Sequence, residues 1–451
     1  MRHRQVRRRY RVCRRIPGRD IRRVPRLLFG PLLLGLALVL VAGCTSESGP
    51  PRRFGASAPQ VDPNLPNTAK EGKDRYYQVM QDANGRWAFR SPDAKPFFSL
   101  GVNGVRTTEE SERGSGRCPY CDAVAGKYAT PDAWAQTAGD RLQSWGFNTL
   151  GAWSQPELFA GRFAYTQVID FSGPWQPGAV PDWFDPDFER RAGEIASNVV
   201  PPLAQDRQLL GWFLDDDIRW GPDSRAATTL LDDYLALPVG SPGRTAAEQL
   251  RGNPAGFLEL AAARYFEVAV RAVRAFDANH LILGVRASAV GTPAEVVKAA
   301  GRWVDVFSVD AYRYTPEVSE ALAPTWTGPA YPPEPDLRTF HELSGRPILV
   351  TELSSRAADA GLPNTVPSGL PVEATQEQRG VRYGEYVGPL FGAPWVVGVH
   401  WYRYADSPTG GRAQPDDGQD SNFGLVSSSD EPWDPVVQRM TEVNARAPYR
   451  G

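Results

Sequence analysis

From residue 97 onward, short apolar runs alternate with longer amphipathic stretches. FFSLGVN (97–103), FNTLGAW (147–153), FAYTQVID (163–170), QLLGWFLD (208–215), LILGVR (281–286), VDVFSVD (304–310), PILVTE (347–352) and WVVGVHW (395–401) each read as a strand. Helical spacing is predicted over 131–145, where Pro131 fits the first turn and Gly146 the stop, and over 185–200 and 254–277. Further helices are expected at 292–300, 333–344 and 375–391, and a last one from near 433. Several strands are apolar throughout rather than alternating, which suits a parallel sheet covered on both faces. Eight strands, most with a helix after them, predict an α/β fold of the (β/α)8 TIM-barrel type. A doubly wound sheet is the competitor, but no G-x-G-x-x-G follows the first strand, and neither a P-loop nor a G-x-S-x-G is present. No Pro/Ser linker interrupts 90–445, so 75–451 is expected to be one large domain.

The first 74 residues have a different character. Residues 1–26 carry twelve arginines and one acid, Asp20, and 27–43 read LLFGPLLLGLALVLVAG. A basic segment before an apolar one is the pattern of an export signal. It ends in Val41-Ala42-Gly43-Cys44, which resembles the bacterial lipobox. The resemblance implies cleavage before Cys44 and a lipid on Cys44, anchoring the protein at the extracytoplasmic face of the cell membrane. An uncleaved membrane anchor is the alternative. Residues 44–74 are polar and rich in Pro, Ser and Gly, as expected of a tether.

Removing residues 1–26 changes the charge. The remaining chain has 38 basic residues against 51 acidic ones, a net of about −13. An acidic exported domain does not fit a nucleic-acid partner. Cys13 falls in the leader, leaving Cys118 and Cys121 in a CPYC motif. A redox role would need a strand before the motif and a helix start after it. The upstream text, TTEESERGSGR, reads as loop, so a local disulfide stapling that loop is the favoured reading. With four histidines in the chain, a zinc site lacks ligands, and Asp215, Asp216 and Asp217 sit in no calcium-type loop. No metal or cofactor is called for.

In a barrel, chemistry gathers at the C-terminal ends of the strands. Here those ends carry Asn103, Trp153, Asp215 with Asp216 and Asp217, Arg286, Asp310 with Tyr312 just beyond, Glu352, and His400 with Trp401. Strands four and seven thus each present a carboxylate to one cleft. Glycoside cleavage needs such a pair, one acid to protonate the leaving oxygen and one ionised group as nucleophile or base. Three clustered aspartates help, because like charges raise one another's pKa. Solvent exposure or pairing with Arg219 would explain Asp215 and Asp216 more blandly, but a Glu352 inside ILVTEL would be costly to bury without a partner.

GWFLDDDIRWG (211–221) resembles the strand-four segment of the retaining glycoside hydrolases built on (β/α)8 barrels, in particular agarase-like and β-galactosidase-like members. The usual text there is an apolar run, then Asp, Asn, Glu. The resemblance implies that Asp217 is the acid/base, that Asp216 contacts the sugar, and that GRPILVTELS (345–354) places the nucleophile at Glu352. It further implies that Tyr312 hydrogen-bonds that nucleophile and that Trp401 forms the strand-eight platform. DSNFGLV (420–426), Glu431-Pro432-Trp433 and FFSLGVNGV (97–105) resemble other segments of the same clan, and the likeness spans about 95–445. The expected function is hydrolysis of a poly- or oligosaccharide stacked on Trp401, Trp153 and Trp212, with Arg286 and His400 orienting hydroxyls. Two departures stand out. Asp217 replaces Glu and is one methylene shorter, and Asp216 replaces Asn and cannot donate when ionised. A barrel that captures glycans at the cell surface without cleaving them is therefore the competing function.

Overall fold

The computed structural model describes residues 75–108, 110–173, 180–223, 226–313, 337–414 and 417–449. The expected signal (1–43), tether (44–74), Cys13 and Cys44 lie outside the described residues, as do 333–336 of the fifth predicted helix. Among the described residues no helix is long and apolar enough to cross a membrane.

Eight parallel strands form the central sheet: β1 (Ser99–Val102), β2 (Thr149–Leu150), β3 (Ala164–Val168), β4 (Leu209–Phe213), β5 (Leu281–Gly284), β6 (Phe307–Asp310), β7 (Ile348–Leu353) and β8 (Val396–Trp401). Their order is β5-β4-β3-β2-β1-β8-β7-β6. The sheet closes where β5 breaks. Leu281–Gly284 pairs with β4, the chain turns through Arg286 at φ 50°, and Ala287–Ser288 pairs with β6. The fold is thus a single large α/β domain around a near-closed parallel barrel, as the alternation of runs predicts.

Four of the outer helices begin on one device, a capping side chain followed by proline. α1 (Pro119–Lys127) starts behind Cys118, α2 (Pro131–Ser144) behind Thr130, α3 (Pro186–Val199) behind Asp185 and α4 (Pro254–Arg274) behind Asn253. The cap side chain accepts an otherwise orphan backbone N–H, and proline gives up an N–H that had no partner anyway. α5 (Ala294–Ala300), α6 (Leu337–Ser344), α7 (Gln376–Gly392) and α8 (Asp434–Asn444) complete the ring.

The core divides into two faces, with strand parity interrupted by register shifts at Leu210 and Val397. Leu209, Trp212, Ile282, Val309, Val350, Val396 and Val399 face the helices. Leu210, Leu283, Leu349 and Val397 face the barrel axis. There they meet Tyr77 and Phe89 from a three-stranded antiparallel sheet (Gln78–Gln81, Trp87–Arg90, Pro96–Phe97), which plugs the barrel floor. That sheet is absent from the sequence reading, as are two helices at Leu230–Leu235 and Pro242–Gln249. α1, for which the sequence reading names no element, opens directly behind Cys118. Cys118 and Cys121 are joined in a disulfide. The helix a redox motif needs is therefore present, but the residues before the motif are loop, and the preceding strand ends at Val102.

Above the floor lies a polar layer. His400 points inward from β8 and shares a 2.8 Å hydrogen bond with Ser99 Oγ, which donates to Thr149 Oγ1 at 2.8 Å. Gly101 makes this possible, because a Cβ there would stand 2.4 Å from the imidazole. Above this layer the barrel opens.

Candidate active site

The strand ends surround a cavity of about 1220 Å³. Trp153, Asp216, Asp217, Asp310, Tyr312 and Glu352 line it. Glu352 is the best-held of them. It closes β7 almost fully buried, Tyr312 donates to its Oε2 at 2.6 Å, and an Arg286 Nη2 donates to its Oε1. Burial pushes its carboxyl up to about 7. Arg286 opposes that shift, as does the Tyr312 hydroxyl, while the charges of Asp216 and Asp217 reinforce it. Asp217 therefore acts electrically on Glu352 across the shared cavity.

Arg286 is the hub. The left-handed backbone at the β5 break aims its side chain under the cavity. Its Nε donates to Asp216 Oδ1 at 2.8 Å, Nη2 also stands 3.8 Å from Asp310 Oδ1, and the guanidinium lies 4.4 Å from the centre of the Trp153 ring. Burial alone would weaken its hold on the proton, but Asp310, Asp216 and Glu352 outweigh burial and raise its pKa. It remains a cation. Asp310 accepts from Thr351 Oγ1 at 2.7 Å. Burial holds its carboxyl well above the usual carboxylate range despite Arg286, and Glu352 and Asp216 add to the rise.

Trp153 is 37% exposed, which is unusual for an indole, and sits edge-on to Tyr402 with ring centres 6.2 Å apart. Tyr402 in turn lies 6.4 Å from Tyr312. Three aromatic rings thus rim the Glu352 side of the cavity. Apolar ring faces beside polar groups suit a sugar, which has both C–H and hydroxyl faces.

Six expected site residues do not line this cavity; Arg286 is one, fully buried beneath it and holding carboxylates rather than placed to orient a hydroxyl. Trp401 is 1% exposed and points outward between β8 and α7, donating its N–H to the Phe423 carbonyl at 3.0 Å. The strand-eight aromatic in the cavity is its neighbour Tyr402. Trp212 likewise faces the helix layer and bonds Asp277 at 2.7 Å. Asp215 is buried behind the strand end, where Ser172 N–H (2.9 Å), Ser172 Oγ (3.1 Å) and Tyr265 Oη donate to it. Asn103 ties β1 to its neighbours. Its amide donates to the Thr351 carbonyl at 2.9 Å, its Oδ1 accepts from Ala152 N–H at 3.1 Å, and Gly151 leaves room for that oxygen. His400 lies under the floor of the cavity, and burial, with Arg286 adding to it, lowers its pKa to about 3, so it is neutral. It cannot orient a hydroxyl from there.

The sequence reading misses others. Asp170, the last residue of the predicted third strand, lines the cavity. Applying the strand-end rule to that strand would have found it. Tyr402, Arg403, Arg412 and Glu110 also line it, from the loops after β8 and β1. These loops meet through the Glu112–Arg412 bridge, and Arg403 and Arg106 both pair with Glu110. No spacing in the sequence announces that pairing. Among the described residues no group of three or more His, Cys, Asp or Glu side chains is placed to hold a metal ion.

No protein-family model matches the chain. Two curated proteins of Vibrio sp. (strain JT0107) are similar to it in sequence. Beta-agarase A is 25% identical over 472 residues, covering 82% of this chain and 45% of that protein, and beta-agarase B is 26% identical over 365 residues, covering 69% and 36%. The chain thus spans under half the length of these relatives. Among solved structures, an agarase, AgWH50C, superposes with a TM-score of 0.66 at 24% identity over 83% of this chain and 64% of its own. An exo-beta-agarase superposes at 0.65 and 22% identity over 82% and 65%. The barrel is related to those of agarase-type glycoside hydrolases, and the fold is that of a carbohydrate-active hydrolase.

Proposed function

We propose that the protein hydrolyses the glycosidic bonds of a poly- or oligosaccharide of the agar type by a retaining, two-carboxylate mechanism. One observation carries this reading: Glu352, gripped by Tyr312 and Arg286, shares its cavity and its electrostatics with Asp217. The sugar stacks on Trp153 beside Tyr402. Asp217 protonates the glycosidic oxygen while Glu352 attacks the anomeric carbon, and a water deprotonated by Asp217 then displaces Glu352. Tyr312 and Arg286 stabilise the ionised nucleophile. The variant Glu352→Gln keeps the shape and removes the nucleophile. It should abolish release of sugar from an aryl glycoside or an agar oligosaccharide, and an unchanged rate would end the proposal.

One observation favours a second reading, a surface barrel that binds glycans without cleaving them. Arg286 occupies both Glu352 and Asp216, and Asp217 is the shorter acid. Binding without product in a chromatographic digest would identify it. Under either reading, residues 27–44 support export and lipid attachment at Cys44, which radiolabelled palmitate incorporation, lost in Cys44→Ala, would test.

A further inference from the structure

One part of the cavity wall carries the opposite charge from the acidic strand ends. Arg106, on the loop after β1, and Arg403 and Arg412, on the loop after β8, all line it. The three converge on one carboxylate. Arg106 Nη2 donates to Glu110 Oε1 at 2.8 Å, an Arg403 Nη2 donates to Glu110 Oε2, and Arg412 Nη1 stands 3.7 Å from Glu110 Oε1. Asp417 takes a forked pair of bonds from Arg412 at 2.8 and 2.5 Å. Gathering three guanidiniums is costly, because like charges repel and burial removes their water. Arg403 shows that cost. Its side chain is 3% exposed, and burial, with the charges of Arg106 and Arg412, lowers its pKa well below the ordinary arginine range despite Asp406 and Asp417. Asp406 is held by other donors, from Asn422, Gly424 and Trp433. Arg403 nevertheless stays a cation, so the cluster is short of negative charge. The chain beyond residue 26 is acidic overall, which makes this concentration of cations a local feature.

Tyr402 fixes where the cluster stands relative to Glu352. Arg412 Nη1 donates to Tyr402 Oη at 3.2 Å, and Arg403 Cζ lies 5.9 Å from the centre of that ring. The same ring sits 6.2 Å from Trp153 and 6.4 Å from Tyr312, which holds Glu352. The arginines are thus one aromatic ring away from the sugar platform, in the same cavity. At the strand ends Asp170, Asp216, Asp217, Asp310 and Glu352 repel an anion. A negative substituent is therefore favoured at the arginine end, and a sugar that bears one is turned in a single sense.

We propose that the cavity takes an acidic saccharide, one whose units bear a sulfate ester or a carboxylate, and that Arg106, Arg403 and Arg412 bind that anionic group. The inference deepens the glycosidase reading above and rests on its placing of the sugar over Trp153. A guanidinium presents paired N–H donors that fit either anion. Arg106, with 26% of its side chain exposed against 3% for Arg403 and 12% for Arg412, is the most open of the three to a ligand.

The test is isothermal titration of the Glu352→Gln protein, chosen to prevent turnover, with three oligosaccharides of equal length: a neutral agarose fragment, a sulfated galactan fragment and a uronate fragment. The sulfated or the uronate fragment should bind roughly tenfold more tightly than the neutral one, the gain of one charge-assisted contact, and whichever gains more identifies the anion. Arg106→Gln and Arg412→Gln, each checked by a thermal melt, should each lose most of that preference. The fragment comparison decides even where a variant fails to fold. Equal affinity for all three fragments, or tighter binding of the neutral one, overturns the proposal, leaves the arginines as a staple between two loops and keeps the glycosidase reading intact. A preference that survives both substitutions overturns it as well, since the anion is then held elsewhere. A preference lost in both, with no cleavage of the anionic fragment by the wild-type protein, supports the anion site and removes only the hydrolytic step.

Discussion

Arg286 joins Glu352 to Asp216 through one guanidinium and lies against the face of Trp153 at 4.4 Å. A single buried cation thus positions the nucleophile candidate, a neighbouring acid and the aromatic platform together. Taking it away leaves a cluster of like charges. Arg286→Met should cost roughly 3–5 kcal/mol of stability, as breaking buried pairs does. Because Arg286 is the largest influence holding the Glu352 carboxyl down against burial, the acidic limb of the pH–rate profile should also move above its wild-type position near 7. Denaturant melts and kcat/KM across pH 5–9, chosen as a range of about two units either side, would show both. A limb that stays in place would mean Glu352 does not govern it.

How much of this was legible beforehand turns on strand parity. The apolar runs gave all eight barrel strands their correct places because parallel strands covered on both faces need unbroken apolar text. Which residue at a strand end points inward is a finer matter. At the end of β4 Asp215 packs outward against Tyr265 while Asp216 meets Arg286, and on β8 the same question separates Trp401 from Tyr402. A one-residue slip moves a side chain to the opposite face, and a run such as GWFLDDD does not say where the slip falls. The antiparallel floor was hidden for another reason. Its strands are two to four residues long, too short for a period to emerge.

Tyr312 holds Glu352 Oε2 at 2.6 Å and thereby lowers its pKa. A hydrogen bond to an ionised acceptor contributes about 1.5–3 kcal/mol. Tyr312→Phe should therefore lower kcat/KM by roughly 10- to 150-fold at pH 6, with less effect at pH 9, where Glu352 is ionised in both proteins. The comparison is a pH–rate profile of the two proteins. A uniform loss at all pH values would assign Tyr312 to substrate contact instead.

Glu352 also carries a stability consequence. Its folded pKa, about 7, lies above the ordinary glutamate value of 4.5. The native state therefore binds this proton more tightly than the unfolded chain does, and folding loses stability as pH rises from the unfolded pKa through 7. Glu352→Gln, which cannot ionise, should melt higher than wild type at pH 8, and the difference should shrink to nothing below about pH 4.5. Melting curves of both proteins over that range decide it. A variant less stable at pH 8 would show that Glu352 is not strained by ionisation.

The two tryptophans once paired as platforms should separate cleanly. Trp153 is partly exposed over the cavity, and Trp401 is packed against Tyr383 with their ring centres 5.7 Å apart. Trp153→Ala should weaken glycan binding by about 1–3 kcal/mol, taking ring stacking on a partly dry face as the guide, with a modest change in melting. Trp401→Phe should leave affinity alone and lower stability, because it trades a buried hydrogen-bonded indole for a smaller ring. Isothermal titration with an agar oligosaccharide and a thermal melt on each variant make the comparison. Reversed effects would restore Trp401 to the site.

Asp216 stands where the resembling enzymes carry Asn, and its charge raises the pKa of Glu352. Asp216→Asn removes that charge while its Oδ1 still accepts from Arg286 Nε, so the buried guanidinium keeps a partner. The new amide also gains donors for a sugar hydroxyl. Two consequences follow together: the acidic limb should move below its wild-type position near 7, and kcat/KM at pH 6 should rise several-fold, since more of Glu352 is ionised there. Two changes act in opposite directions on Arg286, which loses one ionic partner but draws closer to Glu352. For that reason the limb position, not the melting temperature, is the decisive reading. A limb that moves upward or not at all would show that Asp216 acts on Glu352 through the position of Arg286 rather than through its own charge.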